Sequence, residues 1–273
     1  MNGKLTVTGA NKVFFTFVIL FFIFQVVLIF IGGFLGSEFV NDNFYGIMFV
    51  NQYIIILIPV SMYLLVKGIN VKETLRFNFP GILPAILIIL ISVPAYFSAS
   101  MLNSIVVYLL QFLGDVPNSP VPVPNNMMEL LKGIFFIAIT PAVCEEMLHR
   151  GLMLRAYEKR GSLKAVVVTS IFFGLFHFDV TNLIGPIFLG LIIGYYVIRT
   201  NSIIAGMLAH FLNNTIAEVL QYIGGSGSDT QTKVLISREE MVSALTWGLA
   251  GMAAVFIFLK LFSHITEGRY DLK

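Results

Sequence analysis

Side chains suited to proton transfer gather in three short runs of this sequence. They are Cys144-Glu145-Glu146-Met147-Leu148-His149-Arg150, Phe173-Gly174-Leu175-Phe176-His177 and His210-Phe211-Leu212-Asn213-Asn214. Glu146 and Arg150 stand four apart with the acid first, the favoured order for an intrahelical pair. Glu145 points roughly 100° away around the same helix, so it is left for another partner. Phe173 shares a face with His177, and His210 shares one with Asn214. Together these runs supply a carboxylate, two imidazoles and an amide, enough to hydrolyse an amide without a nucleophilic side chain. A glutamate can take a proton from water, a histidine can orient that water and protonate the leaving amine, and a His–Asn pair can donate to the oxyanion. Cys144 adjoins Glu145 but points to a different face. His149 is expected at the cytoplasmic interface, Glu218 near the external one, and Asn213 is expected to pack away from the site.

The elements that must position these groups are membrane helices. Of 273 residues, 57% are hydrophobic and 12% charged, about half the charge of an ordinary soluble domain. Apolar runs long enough to cross a hydrocarbon layer of about 30 Å recur along the chain. They fall near 13–35, 46–66, 81–113, 127–155, 164–177, 183–198, 202–223 and 241–262. This is an all-α, polytopic membrane protein of eight spans, a single transmembrane domain over 1–273 with its chemistry within 127–223. Pro84 and Pro94 interrupt the third span and Pro141 lies in the fourth, so kinks are expected there. The fifth span is short, and its end near His177 should lie inside the membrane.

Charge placement supports the count. With both termini cytoplasmic, Lys4, Lys12, Lys67, Lys72, Arg76, Arg155, Lys159, Arg160, Lys164, Arg199, Lys260, Arg269 and Lys273 fall on the inner side, as the positive-inside rule asks. Lys233 and Arg238 fall outside, and Lys132 and Arg150 lie within spans. Pro117, Pro120, Pro122 and Pro124 predict a stiff external loop, and Gly224 to Ser228 a flexible one. No Lys/Arg cluster suggests nucleic acid, and one cysteine excludes an intrachain disulfide or a CxxC motif. At 1.5 Å per residue, Glu145, His210 and His177 lie roughly 15, 12 and 20 Å from the inner ends of their helices. Buried ionisable groups in a bilayer are costly and usually functional; three clusters at matching depth predict one cavity.

Glu145-Glu146-x-x-x-Arg150, Phe173-x-x-x-His177 and His210-x-x-x-Asn214 resemble, in order, the motifs of the type II CAAX prenyl endopeptidases. Their bacterial relatives are the CPBP intramembrane proteases, some linked to bacteriocin processing and self-immunity. The resemblance runs from about Glu129 to Leu220. It implies an eight-helix fold with a conical cavity open to the cytosol and membrane. It also implies that Glu145 and His177 activate water, that His210 and Asn214 form the oxyanion hole, and that Glu146 and Arg150 support them. The expected activity is an intramembrane glutamic endopeptidase acting on a peptide or membrane-protein tail, surrounded by lipid in a bacterial plasma membrane. It is expected to need no cofactor; the alternative is a zinc held by Glu145, His177 and His210. The rival functions are a non-proteolytic bacteriocin-immunity or scaffold protein of the same fold, and a proton-coupled transporter. The transporter would call for inverted repeats, which the sequence lacks. A di-metal carboxylate site would need a second Glu-x-x-His, also lacking.

Overall fold

A computed structural model describes residues 4–36, 38–116, 121–224 and 235–268. The described residues form no strand, and eight apolar helices dominate. These are α1 (Val7–Leu35), α2 (Phe44–Val66), α3 (Ile82–Leu110), α4 (Met127–Arg160), α5 (Ser162–Leu175), α6 (Ile184–Thr200), α7 (Ile203–Gly224) and α8 (Arg238–Ile265). Each corresponds to one expected span. Six are long and apolar enough to cross a membrane; α5 and α6, with 14 and 17 residues, are shorter. Large apolar side chains such as Phe22, Phe30, Phe34 and Ile29 are exposed along α1, the outward face that a lipid-embedded helix requires. The molecule is an integral, multi-pass membrane protein.

Hydrogen bonds between connections define two ends of the bundle. At one end Ile203 N donates to the Arg76 carbonyl at 3.0 Å and Asn78 Nδ2 to the Asn201 carbonyl at 2.9 Å, joining the α2–α3 and α6–α7 connections. There Arg76 and Arg155 both pair with Glu158 of the α4–α5 corner, and Lys159 reaches the Leu5 carbonyl beside α1. Asn201 closes α6 in the left-handed conformation (φ 48°), which the short amide side chain of Asn tolerates. At the other end Gln111 clamps Ile236 by two hydrogen bonds, one to its N–H and one to its carbonyl. Pro122 and Pro124 of the expected proline loop, and Gly224 at the start of the expected glycine loop, belong to this second end. Pro117 and Pro120, and residues 225–228, lie outside the described residues.

Two cores hold the helices. One gathers Phe14 and Phe17 of α1, Leu64 of α2 and Leu148 and Leu152 of α4. The second gathers Ile88 and Ile91 of α3, Tyr196 of α6, Ala205 of α7 and Phe262 of α8. α4 and α7 meet where the two cores join. α3 stays helical through Pro94, while Pro84 sits in its first turn, where a missing N–H costs nothing. The irregularity expected at Pro141 is present in α4, whose Ile134–Ile139 and Met147–Leu154 wind as wide π-type turns on either side of Thr140–Glu146, and Val50–Leu57 of α2 winds likewise. Such turns concentrate at functional sites.

α8 lies against α3 at glycines. A Cβ on Gly251 would stand 2.6 Å from the Pro94 carbonyl oxygen and 2.8 Å from Ser98 Oγ, whereas one on Gly32 would meet nothing within 4 Å. Gly251→Ala should therefore push α8 off α3 at a cost of about 1–3 kcal/mol and lower the melting temperature in detergent. Gly32→Ala should leave it unchanged.

Candidate active site

Glu146 is fully buried in α4 and its Oε1 is shared. Arg150 Nη1 donates to it at 2.6 Å across one helical turn, and His210 Nδ1 of α7 lies 3.0 Å from the same oxygen. A carboxylate oxygen only accepts, so the proton of that contact is on Nδ1 of His210. Arg150 extends the set: Nη2 donates to the Gly190 carbonyl of α6 at 3.3 Å, and its guanidinium lies 4.4 Å from the ring centre of Phe173 on α5. A planar, delocalised cation suits all three contacts. Gly206 of α7 lets this carboxylate approach, since a Cβ there would fall 2.8 Å from Glu146 Oε2 and 2.9 Å from Val197.

Glu145 leaves α4 in a different direction, as helix geometry requires, and is 6% exposed. Its partner is Gln52 of α2, whose Nε2 donates to Glu145 Oε1 at 2.8 Å; Oε2 of Glu145 has no hydrogen-bond partner. His177 sits just past the last turn of α5, with Nδ1 2.9 Å from the Phe173 carbonyl. That carbonyl can only accept, so Nδ1 carries the proton and Nε2 keeps its lone pair. Phe173 stands edge-on to three imidazoles, with ring centres 5.1 Å from His149, 5.2 Å from His177 and 5.5 Å from His210.

Asn214 is positioned by a proline. In a regular helix the Ile137 carbonyl would take the N–H four residues on, which Pro141 lacks. Asn214 Nδ2 donates to this carbonyl instead, at 2.8 Å, and Asn214 Oδ1 accepts from Asn213 Nδ2 at 3.3 Å. The amide is thereby oriented, with its second N–H uncommitted to either contact.

His177, His210 and Asn214 line one cavity of about 440 Å³, with Phe173, Asn213 and Ser104 among the other wall residues. The second and third expected clusters share this cavity, while the first, none of whose residues lines it, joins them through the Glu146–His210 contact. Glu145 is not on the wall; it is held on the α2 side by Gln52.

Several lesser expectations are corrected. Asn213 is part of the cavity wall instead of packing elsewhere. His149 is not interfacial: it is wholly buried, walled by Phe14, Phe173 and Phe176, and neither ring nitrogen has a hydrogen-bond partner. Glu218 keeps its place toward the outer ends of α7 and α4, where it is 1% exposed with its Oε2 packed on Gly133. Gln52 joins the site unannounced by any motif; a glutamine in the middle of an apolar span is its one signal in the sequence. The cavity wall runs from His210 toward Val107, Asn182 and Ile236, away from the basic end.

Among the described residues no group of three or more His, Cys, Asp or Glu is placed to hold a metal ion. The alternative ligand set of Glu145, His177 and His210 is not assembled as one.

Fold and site together define a polytopic membrane protein with a buried acid–imidazole centre facing an internal cavity. Residues 128–216 match the family described as type II CAAX prenyl endopeptidase Rce1-like. That segment contains every motif position from Glu145 to Asn214 and bears out the family resemblance, that of CAAX-type proteases. No curated protein and no solved structure matches the chain significantly.

The shared carboxylate makes a stability prediction. Arg150→Ala leaves Glu146 buried beside a single imidazole and should cost about 3–5 kcal/mol, read as loss of monodisperse protein on gel filtration in detergent. Arg150→Lys keeps the charge but cannot reach Glu146, Gly190 and Phe173 together, and should recover only part of the loss.

Proposed function

We propose that this protein is an intramembrane endopeptidase that hydrolyses a peptide bond with water activated by Glu145 and His177, against an oxyanion hole of His210 and Asn214. The observation that carries the reading is the convergence of His177, His210 and Asn214 on one cavity, with Glu145 buried off its wall. His177 holds its Nδ1 proton on the Phe173 carbonyl, so Nε2 is the nitrogen left to accept from water. Glu145 has one oxygen tied to Gln52 and the other unengaged, which leaves a lone pair for the same water. Attack of that water on a carbonyl carbon makes an oxyanion. The free N–H of Asn214 and Nε2 of His210 are the donors at hand.

For His210 to donate through Nε2, that nitrogen must be protonated as well as Nδ1. Glu146 accepts from Nδ1 and offsets the charge such an imidazolium carries. With Glu145, Glu146, Arg150 and this imidazolium the buried set sums to zero, the condition that makes buried charge tolerable. Collapse of the tetrahedral intermediate breaks the C–N bond, and the proton taken from water passes to the departing amine.

Quenched fluorogenic peptides and detergent-purified protein test this reading. Glu145→Gln can still accept from Gln52, so it should fold normally while kcat falls at least ~100-fold. His210→Ala and Asn214→Ala should each lower kcat by about 10²–10³. A chelator should leave wild-type cleavage unchanged; loss with chelator and recovery with zinc would overturn the mechanism. Folded protein that cleaves nothing would favour the non-proteolytic immunity or scaffold reading.

A further inference from the structure

Hydrolysis within a bilayer needs a route for water and peptide, and among the described residues one end is closed and the other open. At the end formed by the α2–α3, α4–α5 and α6–α7 connections the site is sealed. Leu75 of the α2–α3 connection is fully buried against Gly151 of α4, and Ile203 at the start of α7 is fully buried beside it. Leu148 and Leu152 of α4, also fully buried, complete the plug beneath Glu146 and Arg150. The connection is latched there by the contacts of Asn78 with Asn201 and Ser202 and of Arg76 with Glu158. Two surface clefts at this end, around Lys72 and Lys159, include none of Glu145, Glu146, His177, His210 or Asn214.

The cavity runs the other way. Its walls climb α3 from Tyr96 through Asn103 to Val107 and α7 from His210 to Ala217, and reach Asn182 and Ile236 in the opposite connections. Asn103 supports that mouth: its Oδ1 accepts from Gly185 N at 2.8 Å and its Nδ2 donates to Asn182 Oδ1 at 2.8 Å.

Charge identifies the sides. Lys67, Lys72, Arg76, Arg155, Lys159, Arg160, Lys164 and Arg199 all lie on or beside the sealed-end connections. Among the described residues the mouth end has Arg238, with Lys132 in the second turn of α4, against Glu38, Asp42, Asp115, Glu129, Asp179, Glu239 and Glu240. The Lys/Arg-rich side of a multi-pass protein is the cytoplasmic one.

We infer that the site is entered from the non-cytoplasmic face, so that the substrate is a peptide segment displayed or released on that side. This substrate assignment rests on the proteolytic reading. The wall adds a constraint: Tyr96, Ser100, Asn103, Ser104 and Asn182 are neutral, and among the described residues no Lys, Arg, Asp or Glu lines the cavity. A charge on the peptide beside the scissile bond would be desolvated without a partner, so the bordering residues are uncharged.

Accessibility tests the side independently of catalysis. In a Cys144→Ala background, Ser104→Cys in the wall and Ile236→Cys at the mouth should react with a membrane-impermeant maleimide in intact cells. Arg160→Cys at the basic end should react only in inverted vesicles. Reaction of Ser104→Cys and Ile236→Cys only in inverted vesicles, or in neither preparation, overturns the proposal. In parallel, an impermeant fluorogenic peptide with a neutral centre should be cleaved by right-side-out and not by sealed inverted vesicles; the reverse also overturns it. Labelling as expected with no cleavage by either preparation upholds the entry side and counts against the proteolytic reading alone.

Discussion

The Glu146 carboxylate is the constraint on which the site depends. It is fully buried in a membrane helix and satisfied at one oxygen by Arg150 from its own helix and His210 from α7. Removing a charge from water costs several kcal/mol even after relaxation, so α4 and α7 can pack closely only with this contact made. Arg150 then carries the requirement outward, to the Gly190 carbonyl on α6 and to the Phe173 ring on α5. Four helices are thus referenced to one carboxylate. The same contact selects the tautomer of His210, while the Phe173 backbone does so for His177. Stability and proton placement here have a common origin.

Irregularity in α4 complements that order. A straight α-helix would spend the Ile137 carbonyl internally, and Asn214 would lose its anchor. Pro141 and the wide turns around it release main-chain groups at mid-membrane, where each needs a partner. Side chains of neighbouring helices supply those partners, which makes a backbone defect into a positioning device. The close approach it needs is obtained with small residues: Gly206 against Glu146 and Gly133 against Glu218.

Much of this was legible in the sequence. Hydropathy alone located all eight helices, because a bilayer permits few alternatives for an apolar run, and i,i+4 spacing identified the Glu146–Arg150 pair and the His210–Asn214 face. Pairing between helices was not legible. Gln52 as the partner of Glu145, and the aromatic enclosure of His149, depend on which faces of α1, α2 and α5 meet α4. A periodicity describes one helix and is silent about its neighbours. The burial of Glu218 is hidden for the same reason: its distance along α7 says nothing of the α4 surface that covers it. Depth along a helix gives distance from an end and not which end is stoppered, so the direction of the cavity is not legible in a hydropathy pattern. Leu75 lies outside every span, so nothing in the hydropathy marks it as the plug.

A buried acid–imidazole centre in a membrane poses a conflict between charge and water. The groups must be dry enough for their hydrogen bonds to be strong, yet the reaction consumes water. Closure on one side and a polar but uncharged wall on the other meet both demands. The plug of Leu75, Leu148, Leu152 and Ile203 shields the Glu146–Arg150 pair, while serines and asparagines along α3, α7 and the α5–α6 connection offer partners to water and to a peptide backbone. The shortness of α5 belongs to this solution. A helix of 14 residues rises about 21 Å, so it ends inside the layer and delivers His177 at the depth where α4 and α7 deliver their groups. The chain that follows can be irregular at that depth because Asn103 and Asp179 take up its amides. A longer α5 would cross the membrane completely and carry its histidine past the site.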